Sequence, residues 1–462
     1  MSGQAPIADA SERSERACII GAGCSGLTAA KALKDEGIPY DHFEMGSDIG
    51  GLWRFGNDNE RAAAYETLHI NTSKWQMEFA DFPMPEDFPV FGHHSQVLAY
   101  FEAYADAFDL RSQISFNTRV SRVQRTSDDQ WAVTVEGGET RTYGALLVAT
   151  GHHWSPRWPD FPGTFDGGTM HSRDYRAPEQ LLNQRVLVVG IGNSACDIAM
   201  DASRVADRVA LSTRSSAWVL PKYILGRPLD QWNGYYMEYL PLWMRQLILR
   251  ALVWIAVGDQ RRYGVPTPDH QLLEEHPTIS QELLPAVGEG RIAMRPNIDR
   301  LDGTHVRFAD GRREPFDRIV YATGYDISFP FLPDPIFAAD GNRVELYRHV
   351  VDPDQPNLYF VGLVQPLGAV MPLAELQSKW VAGVLAGRLA LPAVSTMQNS
   401  IETTLRSMRE RYTESPRHTI QVDFWSYLRT LKDEMDAGRR RAQGQSALPH
   451  ALASVPAGEP TS

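Results

Sequence analysis

The residues best placed to do chemistry sit in two glycine turns. Gly21, Gly23 and Gly26 follow a short apolar run at 17–20, and a helical stretch with Leu27, Ala30 and Leu33 on one face comes next. A further strand-like run at 40–45 carries Glu44. In such a unit the first glycine permits the tight turn, the second lets a pyrophosphate approach the backbone, and the third lets the helix pack on the strand. The helix start offers free amides and the positive end of a dipole to phosphates. Glu44 can accept hydrogen bonds from a ribose. The same grammar recurs at Arg185 to Val189, which enters Gly190, Ile191, Gly192, Asn193, Ser194 and Ala195, then a helix at 196–202 and a strand near 209–211. Here the third position is Ala195, and the strand ends in Thr213 and Arg214 rather than in an acid. A carboxylate there would repel a 2′-phosphate, whereas Arg214 can pair with one. The second unit therefore reads as an NADPH site. With FAD on the first, the pair implies hydride transfer to a flavin, with oxygen, a quinone or a protein as the onward acceptor.

The elements around these turns read as an α/β protein with two Rossmann-like dinucleotide-binding domains and a helical insertion. Apolar strands end in Ala149-Thr150-Gly151 and in Ala322-Thr323-Gly324, an echo that closes each nucleotide unit in the same way. The expected organisation is a flexible tail at 1–16 and a discontinuous FAD domain at 17–180 and 318–436. An NADPH domain at 181–317 follows, with a helical insertion at about 220–290, and a disordered tail at 437–462. The insertion is rich in aromatics (Trp218, Tyr223, Trp232, Tyr235, Tyr236, Trp243, Trp254) and reads as cover over a substrate entrance. Its stretch at 242–256 could instead touch a membrane or a second subunit, so a homodimer stays open.

Composition limits the rest. The chain has 462 residues, enough for two or three domains, and is 43% hydrophobic and 22% charged, the mix of a globular protein. A net charge of −12 argues against a general nucleic-acid binder. Cys18, Cys24 and Cys196 make no C-x-x-C pair, which excludes a disulfide scaffold, a four-cysteine zinc site and a dithiol reductase. The histidine and carboxylate spacing offers no metal site. The polar start is unlike a signal peptide, and the longest apolar stretch, at 247–257, is too short to span a membrane. A soluble, cytoplasmic protein is expected.

At this point the sequence resembles the flavin-containing monooxygenases from about residue 17 to about residue 430. The run from Phe165 through Gly167, His171 and Ser172 to Tyr175 fits the family's F-x-G-x-x-x-H-S-x-x-Y fingerprint. Ala322-Thr323-Gly324-Tyr325, Gly50-Gly51-Leu52-Trp53, Asn71-Thr72-Ser73-Lys74, the acidic-aromatic run at 81–87 and the stretch 362–377 fit further signatures. The resemblance implies that NADPH reduces FAD and that oxygen adds to the reduced flavin at C4a. One oxygen atom of the resulting (hydro)peroxyflavin then passes to a soft nitrogen or sulfur of a small molecule, an amine or a sulfide. It carries Asn71 over as the active-site asparagine, whose amide can donate to and accept from a flavin-bound oxygen. It also implies that Gly51, Leu52 and Trp53 lie along FAD. The cofactor set is completed by Cys24, Ser25, Thr72, Thr150, Gly151, Thr323, Gly324 and Gln365, and by Asn193, Ser194, Ala195, Cys196, Asp197 and Thr213 on the NADPH side. His171 is expected to anchor the hinge between the domains, and a helix starting near Pro372 to point at the flavin. Baeyer–Villiger relatives carry Trp where this chain has Tyr175, which favours heteroatom oxygenation. Ketone oxygenation and peroxide-forming NADPH oxidation are the alternatives.

Overall fold

The computed structural model describes residues 15–59, 61–232, 234, 237, 239–334, 336–337, 339–411 and 419–444. Two five-stranded sheets organise it. In the first, Ala17–Ile20 lies centrally between Tyr40–Phe43 and Ala145–Val148, with Leu358–Phe360 and Ile114–Ser115 outside them, all neighbours parallel. A strand covered on both faces must be apolar throughout. Ala17 and Ile19 accordingly face one core, with the helices Cys24–Asp35 and Met371–Leu385, while Cys18 and Ile20 face another built on Val123, Trp131, Val133 and Tyr143. The two helices pack along each other, joined by the Thr28 and Ser378 hydroxyls at 3.0 Å.

The second sheet runs Gly168–His171, Arg318–Tyr321, Arg185–Val189, Arg208–Ser212, Ile292–Arg295, again parallel throughout. This corrects two expected boundaries. Residues 168–171 and 318–321, assigned above to the first domain, hydrogen-bond into the second sheet. Arg318–Tyr321 pairs with Arg185–Val189 on one side and with the edge strand Gly168–His171 on the other, and its buried Ile319, Val320 and Tyr321 need a parallel neighbour on each side. The two Ala-Thr-Gly turns thus follow equivalent strands, each paired with the strand that opens its glycine unit.

The stretch 220–290 is less helical than expected. It holds the helix Leu242–Val257, two short helices, and a hairpin of Tyr223–Ile224 with Arg227–Pro228. Trp243 and Trp254 on the long helix are 64% and 68% exposed, so they do not line a pocket; Tyr235 and Tyr236 lie outside the described residues. At the other end, the helix Phe424–Gly444 runs past residue 437, where a disordered tail was expected to begin. The small and basic composition there hides a helical stripe: Tyr427, Leu431, Glu434 and Gly438 are buried, and Gly438 accepts a hydrogen bond from the Ala390 amide. Residues 1–14 and 445–462 lie outside the described residues. Arg16, placed in the expected N-terminal tail, is instead paired with Asp41 at 2.6 Å. No described helix is long and apolar enough to cross a membrane, and no cluster of metal-ligating side chains occurs among the described residues.

Candidate active site

The C-terminal ends of both central strands open into one continuous cavity of about 1420 Å³. Ligands gather there in open parallel sheets, where strand ends and helix starts leave amides unpaired. At the first turn Gly21 has φ +99° and sits against Ala149, leaving no room for a side chain. The helix Cys24–Asp35 begins at Gly23 with no side-chain cap, so its first amides face the cavity free. Gly51 approaches Gly23 from the far wall closely enough that a Cβ on Gly51 would lie 3.0 Å from the Gly23 Cα. Glu44 is buried at the cavity edge; its two carboxylate oxygens accept the Ala22 and Gly46 amides at 2.6 and 2.8 Å. That fixes the carboxylate and leaves lone pairs for a diol. Thr150, which lines the same space, carries a buried hydroxyl with no partner among the described residues.

The second turn repeats the geometry. Gly190 has φ +123° and lies against the Ala322 carbonyl, and the helix Asn193–Val205 starts uncapped. Arg214 is exposed at the cavity rim, with no ion pair among the described residues, and Thr213 lies beside it. Asn193 is held from the insertion, its Oδ1 accepting the Ile279 amide at 2.8 Å. Ser25, Leu52, Trp53, Asn71, Thr72, Gly151, Gly192, Ser194, Ala195, Asp197, Thr323, Gly324 and Gln365 also line the cavity. Gly26 and Cys196 do not. A Cβ on Gly26 would lie 1.8 Å from the Gly21 carbonyl oxygen, so Gly26 lets helix and turn meet. Cys196 is wholly buried, its thiol 3.8 Å from the Ile191 carbonyl, and packs beneath the second turn. The helix Met371–Leu385 starts at the cavity wall, which Leu367, Gly368, Ala369 and Val370 line.

Asn71 lines the same cavity as the two turns, with no side-chain hydrogen bond to another described residue. The chain leading to it is tied to the second half of the molecule. The Tyr65 hydroxyl donates to Asp197 at 2.5 Å, and the Thr67 and Tyr175 hydroxyls donate to Asp201 at 2.6 and 2.9 Å. Burial pushes Asp197 up to about 6, against the opposing pull of the Tyr65 hydrogen bond and the Lys222 ammonium. Burial likewise moves Lys222 below the usual lysine range. His171, at the end of the strand Gly168–His171, is pushed down to about 4 by burial and is neutral at physiological pH. Its ring packs on Trp158 and Tyr325, and its Nδ1 accepts the Arg173 amide at 3.1 Å. Nothing in the residue pattern singled out Tyr65, Thr67, Asp201, Lys222 or Asp230; each acts through a partner remote in sequence.

Two uncapped nucleotide turns opening into one cavity define a two-dinucleotide oxidoreductase. The Flavin-binding monooxygenase-like family profile matches residues 14–440. Flavin-containing monooxygenase 5 of Oryctolagus cuniculus is 39% identical over 443 residues, covering 91% of this chain and 82% of that protein. Dimethylaniline monooxygenase [N-oxide-forming] 2 of Rattus norvegicus is 37% identical, over 92% of this chain and 83% of its own length. The solved S-allyl-L-cysteine S-oxygenase of Allium sativum superposes with a TM-score of 0.69 at 27% identity, covering 93% of this chain and 91% of that one. The chain belongs to the flavin-binding monooxygenase-like family. It is an NADPH-dependent flavoenzyme that uses FAD, a small-molecule substrate and oxygen. The glycine cradles and the orphaned Thr150 hydroxyl fit two such dinucleotides.

Proposed function

We propose that this enzyme transfers one oxygen atom from O2 to a soft nucleophilic nitrogen or sulfur of a small molecule, an amine or a sulfide. FAD lies on the Gly21–Gly26 side and NADPH on the Gly190–Ala195 side. When bound, the flavin supplies hydride acceptance and the activation of oxygen. The chain does the rest. Glu44 holds a ribose, the two uncapped helices hold pyrophosphates, and Arg214 selects the 2′-phosphate. Asn71 offers a carboxamide that donates and accepts at the reacting oxygen without releasing a proton to it. The single observation that carries this reading is Asn71 itself, on the wall of the cavity that both turns line, with its amide uncommitted to any other described residue. The N-oxide-forming and S-oxygenating names among the relatives support nitrogen and sulfur as acceptors.

The test is rapid mixing of FAD-loaded protein with NADPH and then oxygen, with a tertiary amine, a sulfide and a cyclic ketone compared side by side. A persistent flavin absorbance, neither oxidised nor reduced, discharged by amine or sulfide with N-oxide or sulfoxide formed, is expected. Direct return to oxidised flavin with stoichiometric peroxide in every case, or ester from the ketone alone, would overturn the reading.

A further inference from the structure

Residues 70–73, which carry Asn71, are held at both ends by one hairpin of the insertion. Lys222 immediately precedes its first strand, Tyr223–Ile224, and Asp230 closely follows its second, Arg227–Pro228. The Leu229 amide donates to the Lys222 carbonyl at 2.9 Å, which closes the hairpin base one residue before Asp230. Lys222 Nζ donates to the Ile70 carbonyl at 3.0 Å, and Asp230 Oδ2 accepts the Ser73 amide at 2.6 Å. These two groups bracket the Asn71-Thr72 step: one peptide is held just before Asn71, the other just after Thr72. Ser73 is wholly buried, while Asp230 is half-buried and lines the cavity. Phe91 supports the arrangement, packing edge-on against Tyr223 at 5.1 Å with the Lys222 ammonium over its ring.

We infer that Lys222 and Asp230 are positioning residues, which fix Asn71 through its flanking peptides and so set how much of the NADPH consumed ends in product. The inference rests on the role proposed above for Asn71. Its physical basis is that a charge-assisted hydrogen bond to a buried peptide is short, strong and directional. A reacting group misplaced by about 1 Å loses much of its effect. The hairpin follows the second glycine turn in the chain, so the part of the molecule that takes NADPH also holds the residue that meets the oxygen.

Two variants at one position test this. In Asp230→Ala the Ser73 amide loses its acceptor. Flavin reduction by NADPH without oxygen should change by less than about twofold, since Asn71 has no part in hydride transfer. The ratio of peroxide to oxygenated product should rise about tenfold, the scale of one lost charge-assisted hydrogen bond. Asp230→Asn keeps an acceptor oxygen and should restore most of the coupling. An independent readout needs no oxygenation: in FAD-loaded protein, amide exchange over residues 70–74 should quicken in Asp230→Ala and not in Asp230→Asn. Unchanged coupling in Asp230→Ala, or equal impairment in both variants, would overturn the inference. A wild-type enzyme that makes no oxygenated product defeats the proposed function instead, and does so before any variant is made.

Discussion

Arg214 and Asn71 show what single side chains are asked to do. Arg214 stands exposed at the rim of the second turn, with no carboxylate paired to it among the described residues. An unpaired guanidinium there costs nothing to redirect toward a phosphate, and a bidentate contact is worth roughly 1.5–3 kcal/mol. Arg214→Ala should therefore raise KM for NADPH about tenfold or more while leaving KM for NADH nearly unchanged. Steady-state kinetics with both nucleotides decides it, and equal effects would remove Arg214 from cofactor choice. Asn71→Ala should behave in the opposite way. NADPH should bind and reduce the flavin at near the normal rate, while product is replaced by peroxide. Oxygen uptake with and without catalase, set against product yield, reads this directly, and intact product formation would sink it.

The two glycine turns are strand–turn–helix elements, and their glycines divide the labour. A Cβ on Gly26 would stand 1.8 Å from the Gly21 carbonyl oxygen, whereas one on Gly23 meets nothing nearer than the Gly51 Cα at 3.6 Å. Gly26→Ala must push the helix off the strand, an overpacking cost of about 1–3 kcal/mol or more. It should lower the melting temperature of the apoprotein as well as flavin content. Gly23→Ala should leave the apoprotein's melting temperature within a degree or two, yet be purified with little FAD, because its methyl fills the phosphate approach. Thermal unfolding beside the flavin-to-protein absorbance ratio separates them; two identical profiles would refute the division.

The same elements mark how far the sequence could be read. Strands 17–20 and 185–189 and their turns were legible because their signal is local: an apolar run, spaced glycines, a helical stripe. The strand partners at 168–171 and 318–321 were assigned to the wrong domain because pairing is a long-range choice that no local run announces. The end of the last helix was missed because its buried stripe is formed by Glu434 and Gly438 as well as by apolar residues. Within the site, the residues expected to line the cavity do so apart from Gly26 and Cys196, which pack behind it. Lys222 and Asp230 stayed invisible for a physical reason: their partners lie 152 and 157 residues away, and a lone lysine or aspartate in an aromatic stretch looks like any solvated charge.

At the scale of the whole molecule, buried titratable groups tie stability to pH. Burial pushes His42, His171 and His349 down to about 4, and His152 well below its usual range. An unfolded histidine titrates near 6.5. Between pH 6.5 and 4 the unfolded chain therefore takes up protons that the folded chain refuses, so stability is complete above this window and is lost as pH falls through it. For the fully enclosed His42 and His349 the loss is on the order of 3 kcal/mol each. Asp197 works the other way. Raised to about 6, it keeps its proton in the folded state over a range where the unfolded carboxyl has lost it, so its contribution declines as pH rises from about 4 to 6. Burial also raises Asp201, Asp352 and Glu375, while hydrogen bonds and ion pairs lower Asp41, Asp81 and Asp317, so the carboxylates pull both ways and the buried histidines decide the direction. Urea midpoints should fall markedly from pH 7.5 to pH 5, and His349→Asn should flatten that dependence whatever it does to stability at pH 7.5. Asn suits the site because residue 349 has φ +58°. Asp197→Asn, in contrast, should steepen the dependence by removing the opposing term. His42 makes the effect functional as well as structural: its Nε2 lies 2.9 Å from the Gly21 carbonyl, directly under the first turn, and its Nδ1 is buried without a partner. Charging that ring would place an unsatisfied N–H beneath the phosphate cradle, so flavin should be released at a pH above that of global unfolding. Flavin fluorescence and far-ultraviolet circular dichroism followed together through an acid titration would show the two transitions apart; coincident transitions would mean that the turn holds until the whole fold fails.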